Sequence, residues 1–528
     1  MQAVFIQYIF VIITILLLLL LSQKLKIAYP IMLVVGGLIL SMVNITPDIH
    51  ITPELVLMIF LPPLLYEAAW NTSWKEFWRW RRVITSFAFL IVIVTSLVIA
   101  FISSTIIPGF TLALGFLLGA IVSPPDAVSA SAILKNISVP KRLSAIIEGE
   151  SLLNDASSLI IFRFALVAVE TGRFVFQDAA FNFVLVIVMG FAIGLMVAYA
   201  YFKIHSWLPK DSNVDVVLTL TAPYVMYMAA ETFHFSGVLA VVSGGLFLSA
   251  RSHLFLDYRS RMQAQSVWST LGFVLNGLVF MMIGLELRTI VEQLGSVSLG
   301  QAITYGLLIS LSLIVCRMLC TIGASYFTVF ISRFITTADS RPGLKGPIIL
   351  GWAGMRGVVS LAAALSIPLL LTNGNAFPQR NLILFITFVV ILVTLVLQGL
   401  TLPWLIRRVN MKDPDNHLPL HEQHAQIRNH LVVNGLSFID THYKEHTQTN
   451  SSLQQLRATF ENDQATTQHA DHGGLEQFKK IYLELLDKQR SLLLELNRST
   501  ETDEEVIRSY QNLLDMEEEI LRMRYGSA

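Results

Sequence analysis

Charge is what this chain has least of: Asp, Glu, Lys and Arg make up 14% of its 528 residues, against roughly a quarter in an ordinary soluble domain. With 54% of the residues hydrophobic, a single soluble globule is excluded. Cysteine is nearly absent. Cys316 and Cys320 lie four apart inside an apolar run, so they supply no disulfide framework and read as small buried helix residues. No stretch concentrates Lys and Arg into the basic face that nucleic-acid binding needs, so no nucleic-acid partner is expected. The first apolar run, Ala3 to Leu21, lacks a basic stretch before it and a small-residue cleavage site after it. It is expected to stay as a helix rather than leave as a signal peptide.

What the chain has in abundance is apolar runs of about twenty residues, the length of helix that crosses a bilayer. Hydropathy places thirteen spans near 3–21, 28–43, 53–70, 83–107, 110–134, 144–170, 180–203, 214–233, 236–250, 266–293, 298–331, 346–371 and 380–406. The expected fold is therefore an all-α polytopic membrane protein. Positive residues resist translocation, so short loops report orientation. The odd-numbered loops carry 17 Lys and Arg, including Lys75, Arg79, Arg81 and Arg82, whereas the even ones carry only Arg173, Arg288 and Arg380. This alternation places the N-terminus outside and the tail in the cytoplasm, with the cell's inner (plasma) membrane as the expected location. The third loop, Trp74 to Arg82, alternates indoles with cations and is expected to anchor at the headgroup level.

The formal net charge of zero hides a split, because residues 412–528 hold 12 basic and 20 acidic side chains. Residues 1–410 read as a transmembrane domain and 411–528 as a cytoplasmic tail, regulatory or oligomerising. Leu475 to Asn497 and Glu504 to Arg524 show helical amphipathic spacing. With capping residues between them at Ser499 to Asp503, they predict a helical hairpin at about 475–524. Residues 447–473 read as a flexible linker. The tail holds eight of the 12 histidines, among them His417, His421, His424 and His430. With no Cys or carboxylate at metal-ligand spacing, they read as a solvated segment rather than a metal site or pH sensor.

Ionisable residues inside spans are costly and so are functional candidates. Asp126 follows Ser123-Pro124-Pro125 in the middle of an apolar stretch, and two prolines in succession remove backbone donors. The fifth span is expected to break there, and half-helix ends beside a polar cavity can face an ion. In the sixth span Glu150 and Asn154 share one helical stripe, while Ser151, Asp155 and Ser158 share the adjacent one. A carboxylate flanked by hydroxyls is a hard-oxygen cage that suits a small alkali cation. Asp155 can hold a proton or a cation, but not both. Arg317 and Arg356 lie inside later spans, the latter in Gly354-Met355-Arg356-Gly357, which reads as a second interrupted helix. Paired interruptions point to inverted repeats. Arg163, in the sixth span, is unassigned.

These motifs resemble one family. Gly149-Glu150-Ser151-Leu152-Leu153-Asn154-Asp155-Ala156, supported by Ser123 to Val128 and Gly354 to Gly357, is similar to the bacterial sodium/proton antiporters of the electroneutral cation:proton antiporter branch, which are related to the animal sodium/proton exchangers. The resemblance covers roughly residues 5–408. It implies a thirteen-helix homodimer with dimerisation helices and a six-helix core in which two broken helices cross. It also implies Asp155 as the ion-binding carboxylate with Asp126 beside it, and Ser151 and the backbone near Pro125 in the ligand set. Asn154 stands where the electrogenic branch has a second Asp, which implies one proton per monovalent cation. Glu150 would pair with Arg317, and Arg356 would offset helix-end charge at the crossover. One departure is Pro125, which offers only its carbonyl where the family often has Thr or a small residue.

The resulting expectation is a secondary transporter, not an enzyme. It needs no cofactor, exchanges Na+ (or Li+ or K+) for H+ and works in the lipid bilayer. The rivals are a potassium/proton antiporter or a channel of the same fold, a ligand-sensing scaffold, and an intramembrane aspartyl protease built on Asp126 and Asp155. The Tyr-Asp and Gly-x-Gly-Asp patterns that would position protease aspartates are absent.

Overall fold

The computed structural model describes residues 2–25, 27–42, 56–134, 137, 139–172, 176–292, 294, 297–332, 343–371, 373–411, 420–444, 447, 450–468, 472–496 and 504–525. They form two compact units, Met1–Pro414 and Asp415–Ala528. Among the described residues the regular structure is helical, apart from one isolated bridge between Leu370 and Ala376.

The first unit contains α1 (Gln2–Leu25), α2 (Tyr29–Met42), α3 (Leu61–Asn71), α4 (Trp74–Ile106), α5 (Leu112–Val122), α6 (Ala127–Leu134), α7 (Lys141–Thr171), α8 (Phe176–Trp207), α9 (Ser212–Thr232), α10 (Gly237–Phe255) and α11 (Tyr258–Leu285). After these come α12 (Leu299–Ile331), α13 (Lys345–Trp352), α14 (Val358–Leu365) and α15 (Arg380–Val409). Among the described residues eight helices are long and apolar enough to cross a membrane, and two shorter apolar helices cover Ile9–Leu25 and Tyr29–Met42. The expected spans at 53–70, 214–233 and 346–371 correspond to α3, α9 and the pair α13 and α14. The first of these begins outside the described residues. Large apolar side chains such as Leu17, Leu20, Phe101 and Leu311 are exposed, as helices bathed in acyl chains require.

Four apolar clusters build the core of this unit, and two of them meet on α7. One apolar cluster joins α4, α5, α7, α12, α14 and α15, and another joins α3 with α8 to α11 and takes in Leu152 and Ala156 of α7. In a further cluster, shared with α1, α14 and α15, α2 lies against α11 at Gly37 and Gly284. A Cβ on either glycine would run into the other helix's backbone, so only glycine permits this approach.

One expectation needs correcting here. Residues 74–82, read from sequence as the third loop, are helical and form the first turns of α4, which continues unbroken through a wide π turn at Ser86–Ile91. The reason is local: the segment contains no Gly or Pro, and its apolar residues recur at helical spacing, burying Trp80 and Ile84 while Trp74 and Trp78 stay exposed.

The second unit consists of α16 (Leu420–His442), α17 (Ser451–Gln468), α18 (His472–Leu496) and α19 (Glu504–Tyr525). Here too the sequence reading needs revising, since most of the segment expected as a flexible linker is α17. Leu453, Leu456 and Phe460 recur at helical spacing, Phe460 lies over Gly435 of α16, and Arg457 pairs with Asp440 at 3.1 Å. The pair α18 and α19 packs together, with Leu486, Ile507 and Leu521 buried and Arg490 bridging to Asp515 and Glu518, each at 2.7 Å. Residues Ser499 to Asp503, expected to cap the hairpin, lie outside the described residues, as do His417 and the side chains of His421 and His424. Among the described residues no three His, Cys, Asp or Glu side chains converge as a metal site.

Candidate functional site

The prolines do what their chemistry requires. α5, capped at its start by Thr111, ends at Val122. The chain then runs irregularly through Ser123 to Asp126, and α6 begins at Ala127. The Gly-rich stretch acts likewise, with α13 ending at Trp352 and α14 starting at Val358. The two breaks touch: the Asp126 N–H donates to the Met355 carbonyl at 2.7 Å. Opposite Asp126, Gly357 is obligatory, because a Cβ there would fall on the Asp126 carboxylate.

A crossing of this kind gathers four helix ends, and three of them have a side-chain partner. Helix C-termini carry partial negative charge and free carbonyls. Arg356, fully buried, donates from Nε to Val122 O (2.8 Å), from Nη2 to Ser123 O (3.0 Å) and from Nη1 to the Gly354 carbonyl. One cation thus serves the ends of both α5 and α13. At the opposite pole Asp126 caps α6, accepting from Val128 N–H on Oδ1 (2.9 Å) and from Ser129 Oγ on Oδ2 (2.8 Å). The Ala127 N–H donates to Ser151 Oγ at 3.1 Å.

α7 presents the remaining groups. Asn154 Nδ2 donates to the Pro125 carbonyl at 3.1 Å, while its Oδ1 is buried without a partner. Ser158 Oγ donates to Ala120 O at 2.6 Å. Asp155 is 6% exposed, and its charge and that of Asp126 lie within mutual electrostatic reach. Among the described residues no donor bonds the Asp155 carboxylate. The two carboxylates therefore differ, one committed as a helix cap and the other open. On another face of α7, Glu150 (1% exposed) and Arg317 of α12 (2% exposed) form a bidentate pair at 2.7 and 3.0 Å.

Residues 10–408 match the family model described as sodium/hydrogen exchanger, transmembrane. The chain belongs to the sodium/hydrogen exchanger family. Its relatives include a sodium, potassium, lithium and rubidium/H+ antiporter of Bacillus pumilus, 34% identical over 71% of this chain. Another is a low-affinity Na+/H+ antiporter of Synechocystis, 32% identical over 73% of this chain and 70% of that protein. The chain spans 57% and 54% of the length of the two Bacillus relatives that it matches. The fold is similar to that of the sodium proton antiporter MjNhaP1 of Methanocaldococcus jannaschii, with a TM-score of 0.61 and 19% identity over 78% of this chain and all of that one.

In this exchanger-family chain the residues singled out from sequence fall at two neighbouring places. Pro125, Asp126, Ser151, Asn154, Asp155 and Arg356 gather at the crossing, and Glu150 with Arg317 locks α7 to α12. Arg163, unassigned from sequence, reaches Glu231 of α9 at 2.5 Å on a half-exposed surface. Sequence reasoning passed over Glu67 of α3 and Tyr29 of α2. The Tyr29 hydroxyl lies within electrostatic reach of both Asp126 and Glu67. The signal was available, since Glu67 is a carboxylate inside the span expected at 53–70.

Proposed function

We propose that this chain is a secondary transporter exchanging a monovalent alkali cation, Na+ foremost and Li+ or K+ alternatively, for a proton across the plasma membrane. The observation that carries the reading is the Asp155 carboxylate, buried and without a hydrogen-bond donor beside the meeting of two interrupted helices. Every other charge at the crossing has a fixed occupation. A carboxylate left open in that setting binds a cation or a proton, and loading one removes the other. Asp126, Ser151, Asn154 and the Pro125 carbonyl are the oxygens of the proposed cation shell, with Asp126 and Asn154 holding the break in shape. Glu150 with Arg317 and Arg356 fix the helices around it.

Coupling follows from desolvation. A bare carboxylate carried through a protein interior costs several kcal/mol, so the site crosses loaded with either ion and not empty. With Asn154 in place of a second carboxylate, one proton exchanges for one cation and no net charge moves. The reading includes thirteen crossings, a homodimer, an outside N-terminus and a cytoplasmic tail beyond residue 410 that tunes transport or assembly. The names of the Bacillus and Synechocystis relatives support alkali-cation/proton exchange.

Proteoliposomes test it. The wild-type chain should move protons when Na+, Li+ or K+ is added, with no membrane current, and Asp155→Asn should move none. In detergent, adding the transported cation to purified wild-type protein should release protons, while Asp155→Asn releases none. Exchange by Asp155→Asn, or cation binding without proton release, would overturn the reading.

A further inference from the structure

A cavity of ≈ 1010 Å³ lies between α4 and α7 on one wall and α8 and α10 on the other. Its walls are apolar for most of their length, with Phe89, Leu153, Leu239 and Leu246 among them; Arg81 and Arg82 interrupt the α4 wall, with Trp74, Phe77 and Trp78 lining it beyond them, and Arg251 ends the α10 wall. Both guanidiniums used below are held in place. Arg81 stacks over the Trp78 ring at 4.5 Å and donates Nη1 to the Trp78 carbonyl at 2.6 Å, and Arg251 stacks over Phe247 at 4.1 Å. A guanidinium has five N–H donors, so stacking leaves edge donors available to a ligand.

The dimensions select the occupant. From Arg81 to Leu90 along α4 is about 14 Å, and from Leu239 to Arg251 along α10 about 18 Å, at ~1.5 Å per helical residue. One leaflet of hydrocarbon is about 15 Å, half of the ~30 Å core. We infer that this groove binds one anionic phospholipid, its headgroup phosphate on Arg81 and Arg251 and its acyl chains running between α4 and α10 to the depth of one leaflet.

Two features tie the groove to the rest of the molecule. The π turn of α4 lies in its wall, with Ser86, Phe89 and Leu90 lining the cavity. π turns inside α-helices are frequently found at functional positions. The Ala88 carbonyl of the same turn accepts from Ser157 Oγ of α7 at 2.5 Å. Leu153, on the wall, stands two residues before Asp155. A lipid seated here packs against the helix that carries the open carboxylate. This inference concerns binding and stands whether or not the chain exchanges cations.

The test uses the full chain, delipidated in detergent and titrated with dioleoyl phosphatidylglycerol, dioleoyl phosphatidylcholine, glycerol 3-phosphate or inorganic phosphate. Bound lipid is counted by native mass spectrometry and stability followed by thermal unfolding. One phosphatidylglycerol per chain should be retained at roughly 30-fold lower concentration than phosphatidylcholine, as two arginines near a charged headgroup imply. The double variant Arg81→Gln, Arg251→Gln should erase that preference, and neither chainless phosphate should protect. Leu246→Trp, which fills the groove and leaves both arginines, should lower retention of both lipids, and it decides the matter if the arginine variant does not fold. Equal retention of the two lipids by the wild type, an unchanged preference in the double variant, full retention by Leu246→Trp, or protection by inorganic phosphate equal to that by phosphatidylglycerol would each overturn the inference.

Discussion

Removing Glu150 is the sharpest test of how the region around the crossing is held. Its carboxylate and the Arg317 guanidinium are almost wholly buried, and two parallel hydrogen bonds of 2.7 and 3.0 Å join them. Arg317 has little else: Nη2 reaches the Leu350 carbonyl at 3.4 Å, and Nε is buried without a partner. Glu150→Ala thus strands a cation inside the protein, a loss of about 3 to 5 kcal/mol. At ~2 °C per kcal/mol for a unit of this size, the unfolding midpoint in detergent should fall by roughly 6 to 10 °C. Arg317→Met alone should also destabilise. The double variant Glu150→Leu, Arg317→Met, which removes both charges and keeps the volume apolar, should regain most of the loss. A midpoint within 1 °C of wild type for Glu150→Ala would refute the reasoning, as would a double variant whose loss equals the sum of the singles, since residues that hold each other cannot lose stability independently.

Two further outcomes follow. Gly357→Ala should cripple cation-driven proton movement in proteoliposomes, because its methyl group would occupy the place of the Asp126 carboxylate, whereas Gly300→Ala, which meets nothing within 4 Å, should leave the rate unchanged. Equal rates for the two variants would refute the close approach. In the tail, hydrogen bonds from Arg522 and Arg490 hold the Glu518 carboxyl below the usual carboxylate range. Its contribution to the α18 and α19 hairpin is complete above the ordinary value of ~4.3 and is lost as pH falls through the lowered folded value. A carboxyl carbon titration by NMR should therefore show a midpoint below ~4.3, and a midpoint above it would contradict the pairing.

The breaks were legible because their cause is local. Pro124 and Pro125 cannot donate, and Gly354 and Gly357 leave the helix unsupported, so both interruptions stand in the sequence before any partner is known. The polar stripe of α7 was legible for the same reason, since periodicity alone puts Ser151 and Asp155 on one face. What spacing could not supply is the division of labour. That Asp126 is occupied as a cap while Asp155 is open depends on Val128 and Ser129 turning back onto one carboxylate and on no donor reaching the other. Nor could it show that Arg356 would bond carbonyls more than 230 positions away. The misread segments fail in the opposite sense. Trp74 to Arg82 is polar enough to look like a loop, and residues 451–468 polar enough to look like a linker. Each is a helix because one face has a neighbour that hydropathy cannot see.

Arg356 joins three carbonyls drawn from two separate stretches of backbone, so neither interruption has its own private counter-charge. A lesion in one is transmitted to its twin: replacing this arginine would unseat α5 and α13 together, and repairs aimed at a single helix would fail. Efforts to retune which ion is carried should leave that shared keystone alone and work on the face of α7, where alterations stay local.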